Sequence, residues 1–173
     1  MRIIACGYDE HAEAILAILN DAIVTSTALF DYRPRELASM VKWFRAKEQE
    51  GFPVLGAVAD DGSLEGFATY GPFRNWPAYK YTIEHSVYVH RDRRRQGVAR
   101  ALLTRLIATA EQQDYHVMVG GIDATNSASI ALHVELGFVL AGTVHHAGFK
   151  FGRWLDLSFY ELRLRTPARP VDG

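Results

Sequence analysis

Cysteine is almost missing from this sequence: Cys6 is the only one in 173 residues. An internal disulfide is therefore excluded, and a reducing compartment suits the chain. In its apolar opening segment Cys6 reads as a small core residue rather than a nucleophile. Long apolar runs are missing too, and none approaches the roughly 20 residues of a membrane span. The opening MRIIACGYDEHAEA turns polar within a few residues, so it does not read as a signal peptide, and a cytoplasmic location is expected. Net charge is nearly absent: 19 Lys and Arg against 20 Asp and Glu leave −1. That gives no bulk attraction to nucleic acid or an anionic membrane, so neither is an expected partner. There is no Gly-x-Ser-x-Gly elbow and no Gly-Lys-Ser/Thr phosphate loop. Seven histidines are present, but no pair has the spacing of a zinc helix or knuckle. His145 and His146 are adjacent and would face opposite sides of a strand, so no metal site is expected.

What remains is an ordinary globular composition, 49% apolar and 23% charged. Residues 1–165 read as a single domain, and 166–173, with little to bury, as a frayed tail. Arg2–Tyr8 reads as a strand, followed by a helix with Ala14, Ile15, Ile18, Leu19, Ala22 and Ile23 at helical spacing and Asp9 as N-cap. Pro34 opens a second helix to about Lys47, with Leu37, Val41 and Phe44 on one face. Two apolar runs around DDGS predict a hairpin, with Asp61-Gly62 supplying positive φ angles. Tyr79–Val89 reads as a long strand, Gly97–Gln113 as a helix and Tyr115–Ile122 as a strand buried on both faces. A helix from Asn126 ends at Gly137, and strands near Val139–His146 and Arg153–Leu164 complete the set. The order β-α-α-β-β-β-α-β-α-β-β predicts an α/β fold, a mixed sheet with helices on its faces.

The stretch RDRRRQGVARALL (Arg91–Leu103) puts four arginines within five residues, then a glycine, then an apolar helical run. A loop between a strand and a helix start offers N–H groups without intrahelical partners, and the helix dipole favours an anion there. Gly97 allows close approach to the backbone, Ala99 keeps the first turn small, and Arg94, Arg95 and Arg100 add charge. Alone, such a run reads more readily as a solvated basic face than as a binding loop. Its place after a strand favours a phosphate cradle, and the apolar Leu102, Leu103, Leu106 and Ile107 behind it argue against a nucleic-acid surface.

RRQGVA (Arg94–Ala99) resembles the Arg/Gln-x-x-Gly-x-Gly/Ala signature of the GNAT superfamily of N-acetyltransferases, and Asn126 and LGF (Leu136–Phe138) are spaced as in its following helix. YTIEHSVYVH, HVMVGGI, NSASIALH and GFKFGRWLDLSFYEL are similar to the subgroup that acetylates phosphinothricin, methionine sulfoximine and methionine sulfone. The resemblance implies acetyl-CoA as cosubstrate, a homodimer, and transfer of acetyl to the α-amine of a small amino acid. It implies donor contacts from Val87, Tyr88 and Val89, from Arg94, Arg95, Gln96, Gly97, Val98, Ala99 and Arg100, and from Asn126.

On its own strand Glu84 shares a face with Thr82, Ser86 and Tyr88. A carboxylate there reads equally as a general base or as the partner of a neighbouring arginine; the resemblance implies the base. His133 stands where many superfamily members have a tyrosine, a departure shared with the phosphinothricin subgroup. As acid, base or simple hydrogen-bonded helix residue, its role stays open. Arg74 could clamp a carboxylate or phosphinate by two parallel hydrogen bonds, and Asn75, Trp76, Glu84, His85 and Ser86 complete the expected substrate contacts. Phe30, Tyr32, Trp76 and Tyr79 could wall an apolar pocket, though each singly reads as packing. Two rivals remain: a protein or peptide N-terminal acetyltransferase, and a non-catalytic acetyl-CoA-sensing module. The sensor has no chemical need for Glu84 and His133 beside an intact loop.

Overall fold

The computed structural model describes residues 1–172. Its strands and helices run β1 (Arg2–Ala5), α1 (Tyr8–Thr25), α2 (Leu37–Gln49), β2 (Val54–Val58), β3 (Leu64–Pro72), β4 (Thr82–Val89) and α3 (Val98–Gln112), then β5 (Val117–Asp123), α4 (Ser127–Glu135), β6 (Val139–Lys150) and β7 (Arg153–Arg163). Short 3₁₀ turns occupy Pro77–Tyr79 and Arg91–Arg93. The strands are bonded in the order β1-β2-β3-β4-β5-β7-β6. β4 and β5 run parallel, while β1–β2, β2–β3, β5–β7 and β6–β7 are antiparallel, so the expected mixed sheet is present. No described helix is long and apolar enough to cross a membrane. By its contacts the chain divides into two compact units. One is Met1–Tyr70 with Ser86–Leu106; the other is Gly71–His85 with the chain from Ile107 onward.

In the first unit, the 3.6-residue period of α1 brings Ala12, Ile15, Ile18 and Leu19 together with Met40, Phe44, Val54 and Phe67. Fully burying each large apolar side chain contributes about 1.5–3 kcal/mol. Trp43 adds edge-on contacts to Phe44 and Phe67 with centroids at 4.9 and 6.3 Å. α1 starts one residue before Asp9: Gly7 is its N-cap, and the Gly7 N–H donates to Nδ1 of His11 at 3.2 Å. α2 starts at Leu37, three residues after Pro34, for a long-range reason. Asn20 of α1 accepts from the Arg35 N–H at 2.7 Å and donates to the Arg35 carbonyl at 2.9 Å, which pins residue 35 outside the helix. The buried face of α2 is Met40 and Phe44, while Leu37 stays 38% exposed. In the β2–β3 hairpin only Gly62 is left-handed, at φ 85°; Asp61 instead accepts hydrogen bonds from the N–H and hydroxyl of Ser63.

In the second unit, Pro77 turns residues 77–79 into the 3₁₀ turn, so β4 begins at Thr82 rather than Tyr79. Ile83, Met118, Phe138 and Leu155 are nearly fully buried. α4 is capped by Asn126, whose Oδ1 accepts from the Ser129 N–H, and it stops before Gly137 at φ 91°. β6 runs on to Lys150, longer than expected, because its register with β7 shifts twice and a bulge absorbs residues 145–147. There His145 Nδ1 meets Asp156 at 2.8 Å and His146 stacks on Trp154. The segment after residue 165 is held rather than frayed: Thr166 donates to the Tyr115 carbonyl at 2.6 Å, and the Val171 N–H donates to the Tyr81 hydroxyl at 3.2 Å. Gly173, which belongs to that expected tail, lies outside the described residues.

Asn20→Ala removes both bonds to Arg35 and leaves its backbone groups to be satisfied elsewhere. Urea unfolding should show a loss of about 1–3 kcal/mol without a change in m.

Candidate active site

Alternation along a strand sends neighbouring side chains to opposite faces, and in β4 this separates Glu84 from His85. In register, Glu84 lies beside Val119 and His85 beside Gly120 of β5. A Cβ on Gly121 would lie 3.2 Å from the Glu84 carboxyl, and one on Gly120 would lie 2.7 Å from Nε2 of His85. The two glycines thus open room on opposite faces, Gly121 for the carboxylate and Gly120 for the imidazole.

On the Glu84 face, the same missing Cβ at Gly121 would approach Leu157 and Phe159 of β7 at 3.5 and 3.7 Å. Phe73 meets Phe159 and Tyr79 edge-on, with centroids at 6.3 and 5.8 Å. Arg74 lies flat on Phe73, its guanidinium carbon 4.1 Å from the ring centroid, and donates to the Phe73 carbonyl at 2.7 Å. Phe73, Arg74, Asn75 and Trp76 line an open cleft of about 330 Å³. Glu84 is half-buried. Desolvation raises its carboxyl pKa, and the Arg74 charge pulls in the opposite direction more weakly. A carboxyl moved toward neutrality by burial, and within the influence of the Arg74 charge, can exchange a proton with a bound ammonium group.

The other face is different. His85 and His133 are 6% and 1% exposed, with Nε2 atoms 3.1 Å apart and rings stacked at 5.0 Å. Phe138 covers both rings edge-on. His133 Nδ1 also lies 2.7 Å from the Ser129 carbonyl. The structure therefore puts the His85 ring against His133, on the face opposite Glu84. His133 meets His85 and Ser129, and no described contact joins it to Glu84. Arg74, Asn75 and Trp76 come together as expected, with Trp76 69% exposed. Phe73, Phe159 and the Gly120-Gly121 pair were missed. The adjacent glycines inside a strand were a readable sign of close approach on both faces.

The arginine loop lies in the first unit. Asp21 of α1 forms ion pairs with Arg91 and Arg94, and Arg93 lies 3.5 Å from Glu65. Most of the loop's charge is thus internally matched. Arg95 and Gly97 adopt left-handed backbone at φ 60° and 82°, an arrangement in which successive N–H groups can converge on an anion. Gly97 also accepts the first helical bond, from the Ala101 N–H at 3.0 Å, and Val98 is buried beneath. Tyr88 packs its ring against Phe67 at a centroid distance of 5.5 Å. Among the described residues no three His, Cys, Asp or Glu cluster as a metal site.

Residues 15–138 match the family model described as Acetyltransferase (GNAT) family. The chain belongs to the GNAT acetyltransferases. It is 45% identical over 155 residues to the L-methionine sulfoximine/L-methionine sulfone acetyltransferase of Pseudomonas paraeruginosa, covering 90% of each chain. Among solved structures, the phosphinothricin acetyltransferase of Sinorhizobium meliloti in complex with acetyl-CoA superposes with a TM-score of 0.94 at 30% identity, over 99% of this chain and 94% of that one. A ribosomal-protein-alanine N-acetyltransferase from Brucella melitensis superposes with a TM-score of 0.92 at 40% identity, over 95% and 100%.

Gly120→Ala places a methyl group against both imidazoles. We expect a loss of roughly 1–3 kcal/mol in denaturant unfolding, since neither buried ring has room to retreat.

Proposed function

We propose that this chain transfers the acetyl group of acetyl-CoA to the α-amino group of a small amino acid of the methionine sulfone, methionine sulfoximine and phosphinothricin type. The observation that carries this reading is Glu84, a desolvated carboxylate beside Arg74 and an aromatic wall. An α-ammonium group has a pKa of about 8 and must lose a proton before it attacks. Glu84 accepts that proton, directly or through water. The neutral amine adds to the thioester carbonyl, the C–S bond breaks, and the departing thiolate takes a proton from solvent. Arg74, Asn75 and Trp76 hold the acceptor, with the planar guanidinium matched to a carboxylate or an oxidised sulfur or phosphorus group.

The donor reading is supported by the loop. Arg95 and Gly97 shape it, Gln96 ties back to the Asp92 carbonyl at 3.1 Å, and α3 begins at Val98, directly after the loop, where a helix start favours an anion. In this reading Arg94 to Arg100 hold the pyrophosphate, while the backbone of Val87 to Val89 and Asn126 hold the pantetheine arm. Glu84 is the reason to prefer an enzyme over an acetyl-CoA sensor. A peptide acceptor is the second reading, favoured by the openness of the cleft and the likeness to the Brucella enzyme. The reaction class carries a cytoplasmic setting with it, where the acyl donor is made and used.

A homodimer is part of the same proposal. β6 ends the strand order, and Val139, Leu140, Val144, Phe149 and Trp154 are each about half exposed along this hairpin. An apolar edge of this kind calls for a cover, and a second copy is self-complementary. Light scattering should give twice the chain mass, and Val144→Glu with Trp154→Glu should halve it. A monomeric wild type overturns the dimer.

The reaction is tested by release of free CoA thiol with methionine sulfone, methionine sulfoximine, phosphinothricin or a short peptide as acceptor. Fast release with a small amino acid is expected; release with the peptide alone moves the acceptor to proteins. Glu84→Gln should lower kcat by roughly 10²–10⁴-fold with little change in the acetyl-CoA KM. Because the base works deprotonated and its pKa is raised, kcat/KM should fall as pH drops through a value above the ordinary carboxylate range. That limb should vanish in Glu84→Gln.

A further inference from the structure

The two buried histidines have only one arrangement of protons that satisfies their neighbours. The Ser129 carbonyl can only accept, so His133 Nδ1, 2.7 Å away, carries a proton and donates it. In a neutral ring His133 Nε2 is then a bare acceptor, so His85 Nε2, 3.1 Å away, must be the donor. That leaves His85 Nδ1 bare, and it is a buried atom without a hydrogen-bond partner among the described residues. A charged His133 would reverse the central bond. It would strand an N–H at His85 Nδ1 as well as a cation in a dry site, which costs more than an idle lone pair. The titratable groups facing each ring are the other ring alone: β5 offers Gly120, α4 offers Ser129, the following segment offers Phe138, and Glu84 of β4 lies on the opposite face. Burial moves both imidazoles the same way, toward the neutral form.

Ser129 extends the chain of bonds. Its carbonyl accepts the hydrogen bond from His133 Nδ1–H, and its N–H donates at 3.1 Å to Oδ1 of Asn126, the N-cap of α4. A line of hydrogen bonds thus runs from β4, next to Glu84, through both histidines to the first turn of α4. Both nitrogens of His133 are engaged by protein partners in it, and neither partner is a carboxylate.

We propose that His85 is a positioning residue that, through His133 and Ser129, sets the first turn of α4 and with it Asn126, while the histidine pair carries no proton in the reaction. The effect on donor binding rests on the acetyl-CoA reading above, in which Asn126 contacts the pantetheine; the protonation pattern does not.

The test has two arms. Long-range ¹H–¹⁵N spectra of the unmodified protein should show His133 protonated at Nδ1 and His85 at Nε2, with neither ring titrating from about pH 6 to 8. A His133 ring that titrates in that window overturns the proposal. In the second arm, His85→Leu should raise the acetyl-CoA dissociation constant and KM about tenfold, the scale of one lost buried hydrogen bond, with kcat and its pH profile nearly unchanged. His85→Gln keeps an N–H donor and should recover most of that loss. A collapse of kcat at wild-type KM would instead make the pair a proton carrier and overturn the proposal. Calorimetry reads donor affinity without turnover, so failure of the amino-acid reading would not be mistaken for failure of this one. Should His85→Leu not fold, the spectra of the unmodified protein and the affinity of His85→Gln decide.

Discussion

Strand alternation is the constraint from which the candidate site follows. With a period of two, Glu84 and His85 cannot share a face, and each must be housed by what the sheet provides on its own side. The parallel register with β5 then determines what they meet, a stretch that includes Gly120 and Gly121. A one-residue slip would exchange the faces, sending the carboxyl under the sheet and the imidazole into the open cleft. Sequence adjacency therefore separates the two groups instead of pairing them.

Electrostatics differ in kind between the two units. In the second, burial moves Glu84 up and His85 and His133 down, so all three are drawn toward neutrality. Arg74 is the weaker opposing influence on Glu84. In the first unit charge is plentiful but largely spent internally. Asp21 holds Arg91 and Arg94, and Glu65 holds Arg93. Those pairs tie the loop to α1 and to the start of β3. The run of arginines is as much scaffold as binding site.

What was legible follows from what a pattern encodes. Periodicity records which face of an element is apolar, and so α1, α3, β5 and the order of elements could be read directly. The loop and Glu84 stood out because charged residues in an apolar context are uncommon, though each also had a bland explanation. Partners were not legible. Nothing near residue 35 announces that Asn20 will take both of its backbone groups, and nothing in WLDLSFYEL says that Phe159 will face Gly121. His133 was visible as a chemically capable residue on a helix, but its role depends on a ring 48 positions away in sequence. Such contacts are set by register, and register is settled only when the strands assemble.

The Gly120-Gly121 pair ties these points together. Each glycine inside a strand costs roughly 0.5–1 kcal/mol through its extra freedom in the unfolded chain. Two in succession within β5, which is paired on both sides, are therefore a standing loss of stability that packing does not explain. Removing a side chain on one face only would need one glycine. Two are needed when both faces carry bulky polar groups level with each other, a carboxylate above and a pair of imidazoles below. The cost falls on one strand, and in return neither polar group has to be displaced. The dipeptide Glu84-His85 and the dipeptide Gly120-Gly121 are thus one feature seen from two strands, and a side chain added at either glycine crowds the polar group opposite it.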